Sequence, residues 1–150
     1  MYNFGKCGRM RKDSTISLKE IESNFICENP DRLEILEVIV DNCLKFQGKQ
    51  CDYLLVNTNN NIGLFIELKG NDVEKAVKQL RNSIMQVCSL NNRFIKSNFD
   101  KKYAYIVSKK VPGSINPDKI KDKFRKEFSI ALKIKNIRLK ININNPGKVL

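Results

Sequence analysis

The chain has 150 residues and a mass of 17.3 kDa, with 41% hydrophobic and 29% charged residues, the balance of one folded domain rather than a disordered tract. It contains no histidine, which excludes a Ser-His-Asp triad, a Cys-His protease pair and a His-ligated zinc site. The 28 Lys and Arg against 16 Asp and Glu leave a net charge of +12, a field that suits a polyanionic partner.

Residues 1–13 are polar and basic, with Gly5 and Gly8, and read as a basic N-terminal arm. Ser17-Leu18-Lys19-Glu20 has the spacing of a capping box, and Leu18, Ile21 and Phe25 then share a helical face, which predicts a short helix ending near Cys27. Asn29-Pro30-Asp31 is a turn. The β-branched run within Arg32 to Val40 predicts a strand over its second half, followed by a turn around Gln47-Gly48-Lys49. Asp52 to Val56 and Leu64 to Lys69 are two further strands, joined by the polar turn 57–61, so three strands form an antiparallel meander. Val73, Ala76, Val77, Leu80, Ile84 and Val87 carry the clearest helical period, which predicts a helix from Asp72 to Ser89. Tyr103 to Ser108 is a fourth strand, and Asn116-Pro117 opens a helix whose apolar face is Ile120, Phe124, Phe128 and Ala131. Leu132 to Ile143 alternates as a strand, with a phase slip at Lys135-Asn136 that predicts a bulge. The expected class is α/β: a central mixed sheet of four to five strands, a meander followed by an αβ unit, flanked by helices in a single domain.

The five cysteines, Cys7, Cys27, Cys43, Cys51 and Cys88, are odd in number and irregular in spacing, with no CxxC. They read as small buried hydrophobes in a reducing cytoplasm rather than as a disulfide framework. There is no apolar run of about 18 residues and no apolar stretch after the first basic residues, so neither a membrane span nor a secretory signal is expected.

Two strands place acids in awkward positions. Alternation sends Phe65, Glu67 and Lys69 to one face of their strand and Leu64, Ile66 and Leu68 to the other. A carboxylate and an ammonium thus share a side of a strand that otherwise reads as buried, where charge is costly unless paired or metal-bound. Asp52 opens the neighbouring apolar strand, so hairpin pairing brings Asp52 and Glu67 together. Two carboxylates with the carbonyl of Leu68 make a donor set that Mg²⁺ or Mn²⁺ prefers. Lys69 would stand within reach of an attacking water, to orient it, lower its pKa or offset charge developing on phosphorus. An ion pair at a strand end is the plain alternative for Glu67 and Lys69. Asp100-Lys101-Lys102 matches the same triplet and is given no role. What distinguishes Glu67-Leu68-Lys69 is its setting: it ends a strand, an acid stands fifteen positions earlier, and an amphipathic helix follows Gly70.

In Cys51-Asp52, Phe65-Ile66-Glu67-Leu68-Lys69-Gly70 and the helix from Asp72 to Leu80, the chain resembles the PD-(D/E)XK nuclease superfamily, the restriction-endonuclease-like fold, over Leu36 to Ser108. The resemblance implies Asp52 and Glu67 as metal ligands, Lys69 as catalytic lysine, and Gln79 as the polar residue some members place on this helix. A solvent-edge glutamine is the alternative for Gln79. Cys51 stands where the name-giving proline would be. A further acid is found in many members, and Glu20, Glu22 and Asp41 are all candidates.

The positive charge is concentrated late: residues from Lys101 onward carry fourteen basic residues against three acids, a net +11, leaving +1 for the first hundred. Lys119, Lys123 and Lys126 on the second helix, and Lys133, Lys135, Arg138 and Lys140 at strand spacing, can track a sugar–phosphate backbone. Arg9, Arg11 and Lys12 could fold over phosphate from the arm. A solvated face or a mobile tail is the alternative in each case. The function expected is a Mg²⁺-dependent endonuclease acting on DNA, of restriction or resolvase type, with a homodimer or partner protein to place two cuts. The other expectations are a non-catalytic nucleic-acid-binding protein or nuclease-fold subunit, and an RNA-cutting enzyme of the same fold.

Overall fold

The computed structural model describes residues 2–68, 72–89, 93–110, 113 and 115–150. After a 3₁₀ turn at Gly5–Cys7 come β1 (Gly8–Arg11), β2 (Thr15–Glu20), β3 (Ser23–Glu28), β4 (Ile35–Ile39), β5 (Tyr53–Asn57) and β6 (Ile62–Leu68). Helix α1 (Val73–Cys88), β7 (Lys101–Ser108), α2 (Pro117–Phe128), β8 (Ala131–Asn136), β9 (Arg138–Asn142) and β10 (Asn145–Val149) follow. The chain is thus α/β with two mixed sheets. A six-stranded sheet runs β1-β4-β5-β6-β7-β8 and a four-stranded sheet runs β10-β9-β3-β2.

The meander is where the sequence places it. β4, β5 and β6 pair antiparallel, with Val38 opposite Leu54 and Leu54 opposite Phe65. β7 then runs parallel to β6, and β8 parallel to β7, after one helix each. Asp72 caps α1 by accepting from the Lys75 amide at 3.0 Å, and Asn116 caps α2 through the amides of Asp118 and Lys119. Both helices lie on one face of the large sheet. Val73, Leu80, Ile84 and Phe124 pack there against Leu54, Phe65 and Ile106. On the other face, Ile16, Phe25 and Ile141 of the small sheet cover Leu55, Ile66 and Tyr105. β5 and β6 are covered on both faces, which is why they read as nearly unbroken apolar runs.

Several expectations are corrected. The large sheet has six strands, and a second sheet rather than a helix covers its far face. The capping-box segment is no helix but the β2–β3 hairpin, with Leu18 opposite Phe25. Ile16 and Leu18 point inward at period two, while Ile21, on the supposed apolar face, is 83% exposed in the turn. Ser17 donates to Asn24 Oδ1 across the hairpin at 3.1 Å instead of capping a helix. The N-terminal arm is a 3₁₀ turn and an edge strand, β1 pairing with β4. The expected bulge at Lys135-Asn136 is a change of sheet: Ile137, at φ +66°, separates β8 in the large sheet from β9 in the small one. The cysteines are also corrected, because β1 beside β4 brings Cys7 and Cys43 into a disulfide with a Cα–Cα distance of 5.7 Å. Cys27 and Cys51 are buried thiols, as expected, and Cys88 is half-buried. Cysteine usage therefore gives no argument for a reducing compartment. Among the described residues, no helix is long and apolar enough to cross a membrane.

Candidate functional site

The end of the large sheet where β4 and β6 finish and β5 begins carries the acids. In the β5–β6 ladder Tyr53 faces Ile66, yet the amide of Asp52 also donates to the Ile66 carbonyl, at 3.1 Å. One residue of β6 thus serves two of the other chain segment, the signature of a bulge, a device that re-aims a side chain. The Asp52 carboxylate, so aimed, accepts the Leu68 amide at 2.8 Å. Asp52 is tied to the residues on both sides of Glu67. The two acids are 4% and 2% exposed. Both act on the buried Cys51 thiol: burial raises its pKa first, and the carboxylates of Glu67 and Asp52 raise it further, against the lowering effect of the Ser83 hydroxyl.

Helix α1 is stitched to this end. The Cys51 amide donates to Ser83 Oγ at 2.8 Å, and Gln79 Nε2 donates to the Gln50 carbonyl at 3.1 Å. Asn82 Nδ2 donates to the carbonyls of Gln47 and Lys49, each at 2.8 Å. Gln79, Asn82 and the buried Ser83 lie in the second and third turns of α1 and fix that part of the helix over residues 47–52.

The structure therefore joins the Asp52 carboxylate to the amide of Leu68, the residue after Glu67, with the Leu68 side chain in the second core. It places Gln79 beside Gln50, two positions from Asp52. Lys69 lies outside the described residues. Of the three further acids, Asp41 is the one beside Asp52, its amide 3.5 Å from the Asp52 carbonyl. Glu20 ends β2 in the small sheet, and Glu22 pairs with Lys109 at 3.0 Å. Among the described residues, no three or more His, Cys, Asp or Glu side chains gather as a metal centre.

The basic residues do not form one surface. Arg11 and Arg9 hold the buried Glu37 carboxylate at 2.7 and 3.4 Å, Arg11 also pairs with Asp13, and Lys12 pairs with Glu34. Lys119, Lys123 and Lys126 are exposed on α2, in the helical layer. Lys133 and Lys135 lie on β8, an edge of the large sheet, where lysine also blocks edge-to-edge pairing. Arg138 and Lys140 alternate with the buried Leu139 and Ile141 and so face outward from the small sheet, with Lys140 bound to Glu28 at 2.8 Å. The sequence reading missed Lys45, Lys49 and Lys75, which ring a cleft beside the acids. Their signal was position rather than density: two lie in the β4–β5 connection and one in the first turn of α1. Comparison with family models, curated proteins and solved structures finds no match to this chain.

Proposed function

We propose that the chain is a Mg²⁺-dependent phosphodiesterase, an endonuclease of the restriction-endonuclease-like kind acting on DNA, with Asp52 and Glu67 as metal ligands and Lys69 as the catalytic lysine. The observation that carries this reading is that two acids at this end of the sheet, Asp52 and Glu67, are almost fully buried, with the Asp52 carboxylate held by the amide that follows Glu67. Fixing two acids there costs free energy that packing alone does not require. The donor set suits the ion. Mg²⁺ is commonly held by one or two carboxylates and completed by waters and substrate phosphate, and Asp52 and Glu67 would be those two. Mn²⁺ accepts the same oxygens. A bound ion would supply Lewis acidity at the scissile phosphate. The protein's own part is positioning: the Leu68 amide orients Asp52, and Ser83 and Gln79 fix the chain leading to it.

The test is to incubate the chain with labelled duplex, branched and single-stranded DNA and with RNA, with Mg²⁺, Mn²⁺ or EDTA. Cleavage requiring the metal and lost in Glu67→Ala is expected. A folded Glu67→Ala protein that cuts at the wild-type rate would remove the assignment, and cutting confined to RNA would move the substrate class. A second reading, binding without cutting, is favoured by how deeply both carboxylates are closed off. It predicts salt-sensitive binding with no product in any arm.

A further inference from the structure

The connection from β4 to β5, residues 40–52, passes beside the first two turns of α1, and the two segments enclose a cleft of about 610 Å³. The cleft adjoins the acids. Asp41, on its wall, meets the Asp52 backbone, and Gln50, also on its wall, stands two residues before Asp52.

Three features give this cleft a chemistry. First, Lys45, Lys49 and Lys75 line it, all three are exposed, and none forms an ion pair among the described residues. Arg9, Arg11, Lys12, Arg81, Lys109 and Lys140 each have a carboxylate within 4.0 Å, so their charge is already offset. Other lysines, most of them after residue 100, also stand without a carboxylate partner among the described residues; what sets Lys45, Lys49 and Lys75 apart is that all three line one cleft, in a part of the chain whose net charge is close to zero. Second, Gln50 is 8% exposed and gives its Nε2 to the Phe46 carbonyl at 2.8 Å, which leaves Oε1 buried without a partner. A buried acceptor is costly to leave unmade, so the cleft also calls for a donor. Third, the wall is held in place. Gly48 sits at φ +86° against Asn82, Asn82 holds the carbonyls on either side of Gly48, and Cys43 is bound to Cys7. Preorganised walls lower the entropic cost of binding.

A ligand that is both anionic and a hydrogen-bond donor, repeated along a chain, is a nucleotide strand. The volume lies within the roughly 300–1,000 Å³ of small-ligand pockets, so it admits one or two nucleotides and not a duplex. We infer that this cleft holds a single strand beside the bond to be cut: Lys45, Lys49 and Lys75 take phosphate oxygens, and Gln50 Oε1 accepts from a hydroxyl or amino group of the nucleotide between them. The inference rests on the phosphodiesterase reading for the position of the cut, and on the cleft alone for binding.

The test separates the two. Fluorescence anisotropy on the full chain in EDTA, with labelled single-stranded DNA and the matching duplex, reads binding without cleavage. The single strand should bind more tightly than the duplex. Lys45→Gln/Lys49→Gln/Lys75→Gln should weaken single-strand binding roughly tenfold or more and reduce the slope of log K against log salt by about 2, at about 0.7 per phosphate contact. Lys6→Gln/Lys19→Gln/Lys148→Gln, an equal charge change elsewhere, should move the slope by much less. Gln50→Met should weaken binding several-fold with the salt slope unchanged. Equal losses in the two triple variants, tighter duplex binding, or no binding to either probe would overturn the cleft assignment. Binding through the cleft by a chain that cuts nothing in Mg²⁺ would uphold it and remove the phosphodiesterase reading.

Discussion

Asp52 adds its side chain to what its backbone does: just before β5 enters its ladder with β6, its amide donates to the Ile66 carbonyl and its carboxylate receives the Leu68 amide at 2.8 Å. One residue thus closes the sheet end and holds a buried acid on the amide that follows Glu67. The two roles separate by substitution. Asp52→Asn keeps an oxygen for the Leu68 amide and removes the charge, so stability should stay within about 1 kcal/mol of wild type. Asp52→Ala leaves a buried amide unpaired and should cost about 1–3 kcal/mol. Both should abolish metal-dependent cleavage. Urea unfolding beside a cleavage assay reads the two effects, and an Asn variant as unstable as the Ala variant would show that charge, not the amide contact, holds this end.

The N-terminal charges give a second prediction. Glu37 is buried on β4 and takes Arg11 on one oxygen and Arg9 on the other. Arg9 is largely exposed and Arg11 keeps Asp13, so removing the carboxylate strips half-buried Arg11 of one of its two partners, at a cost of about 1–2 kcal/mol. Glu37→Ala should therefore unfold at clearly lower urea. Lys12→Ala, in a pair with both side chains at least half exposed, should change stability by less than about 0.5 kcal/mol. Comparable losses in the two would mean that β1 is not fastened to β4 by Glu37.

These residues also show what was legible in advance. The meander, α1 and α2 were readable because each buries a face whose period, two or 3.6, survives in the sequence. The β2–β3 hairpin was not, because Leu18, Ile21 and Phe25 fit a helical stripe as well as Ile16, Leu18, Phe25 and Cys27 fit two inward-facing strand rows. The choice was made by a distant partner, β9, which pairs parallel with β3 and puts Leu139 beside Phe25. The same long-range pairing turned a supposed bulge into a crossing between sheets. That Asp52 and Glu67 sit at one end of neighbouring strands followed from the hairpin alone. The cleft lysines could not, since Lys45 and Lys75 meet only when α1 folds back over the β4–β5 connection.

Gly63 offers a packing test. A Cβ placed there would lie 2.6 Å from the Phe99 ring, which is itself buried edge-on to Phe65. Gly63→Ala should destabilise by about 1–3 kcal/mol through overpacking. Phe99→Leu should recover part of that loss in the double variant, although it costs stability alone. Simple additivity in the four-protein cycle would show that the glycine is kept for another reason.

The disulfide makes a prediction about the wall of the cleft. Cys7 and Cys43 close a loop with a sequence separation of 36, for which chain entropy gives about 3–4 kcal/mol. Reductant should lower the unfolding free energy read from urea titration by that amount in the wild type and leave Cys7→Ser/Cys43→Ser unaffected. Reduction should also weaken single-strand binding, because Cys43 fastens the segment that carries Lys45 and Lys49. A Cys7–Cys43 peptide missing from a non-reducing digest of air-exposed protein would refute the pairing.

The three remaining thiols, with the buried Tyr105 hydroxyl, which burial also raises, should make stability fall at alkaline pH. Burial, with Glu28 adding to it, pushes Cys27 up to about 12, and burial pushes Cys88 up to about 11 against a lowering effect of Lys102. Cys51 is raised as well. In the unfolded chain these thiols ionise near their ordinary pKa of about 8.5. Below that value both states keep their protons and thiols leave stability unchanged with pH. Above it the unfolded chain loses protons first, so stability falls as pH rises towards 11–12. Native protein at pH 8 should accordingly react slowly with a thiol reagent, titrate three thiols on unfolding, and titrate five only after reduction. Cys51→Ala should flatten the alkaline decline between pH 9 and pH 11, within the window set by about 8.5 for the free thiol. An unchanged decline in that variant would place its origin elsewhere, in the lysines that begin to lose charge over the same range.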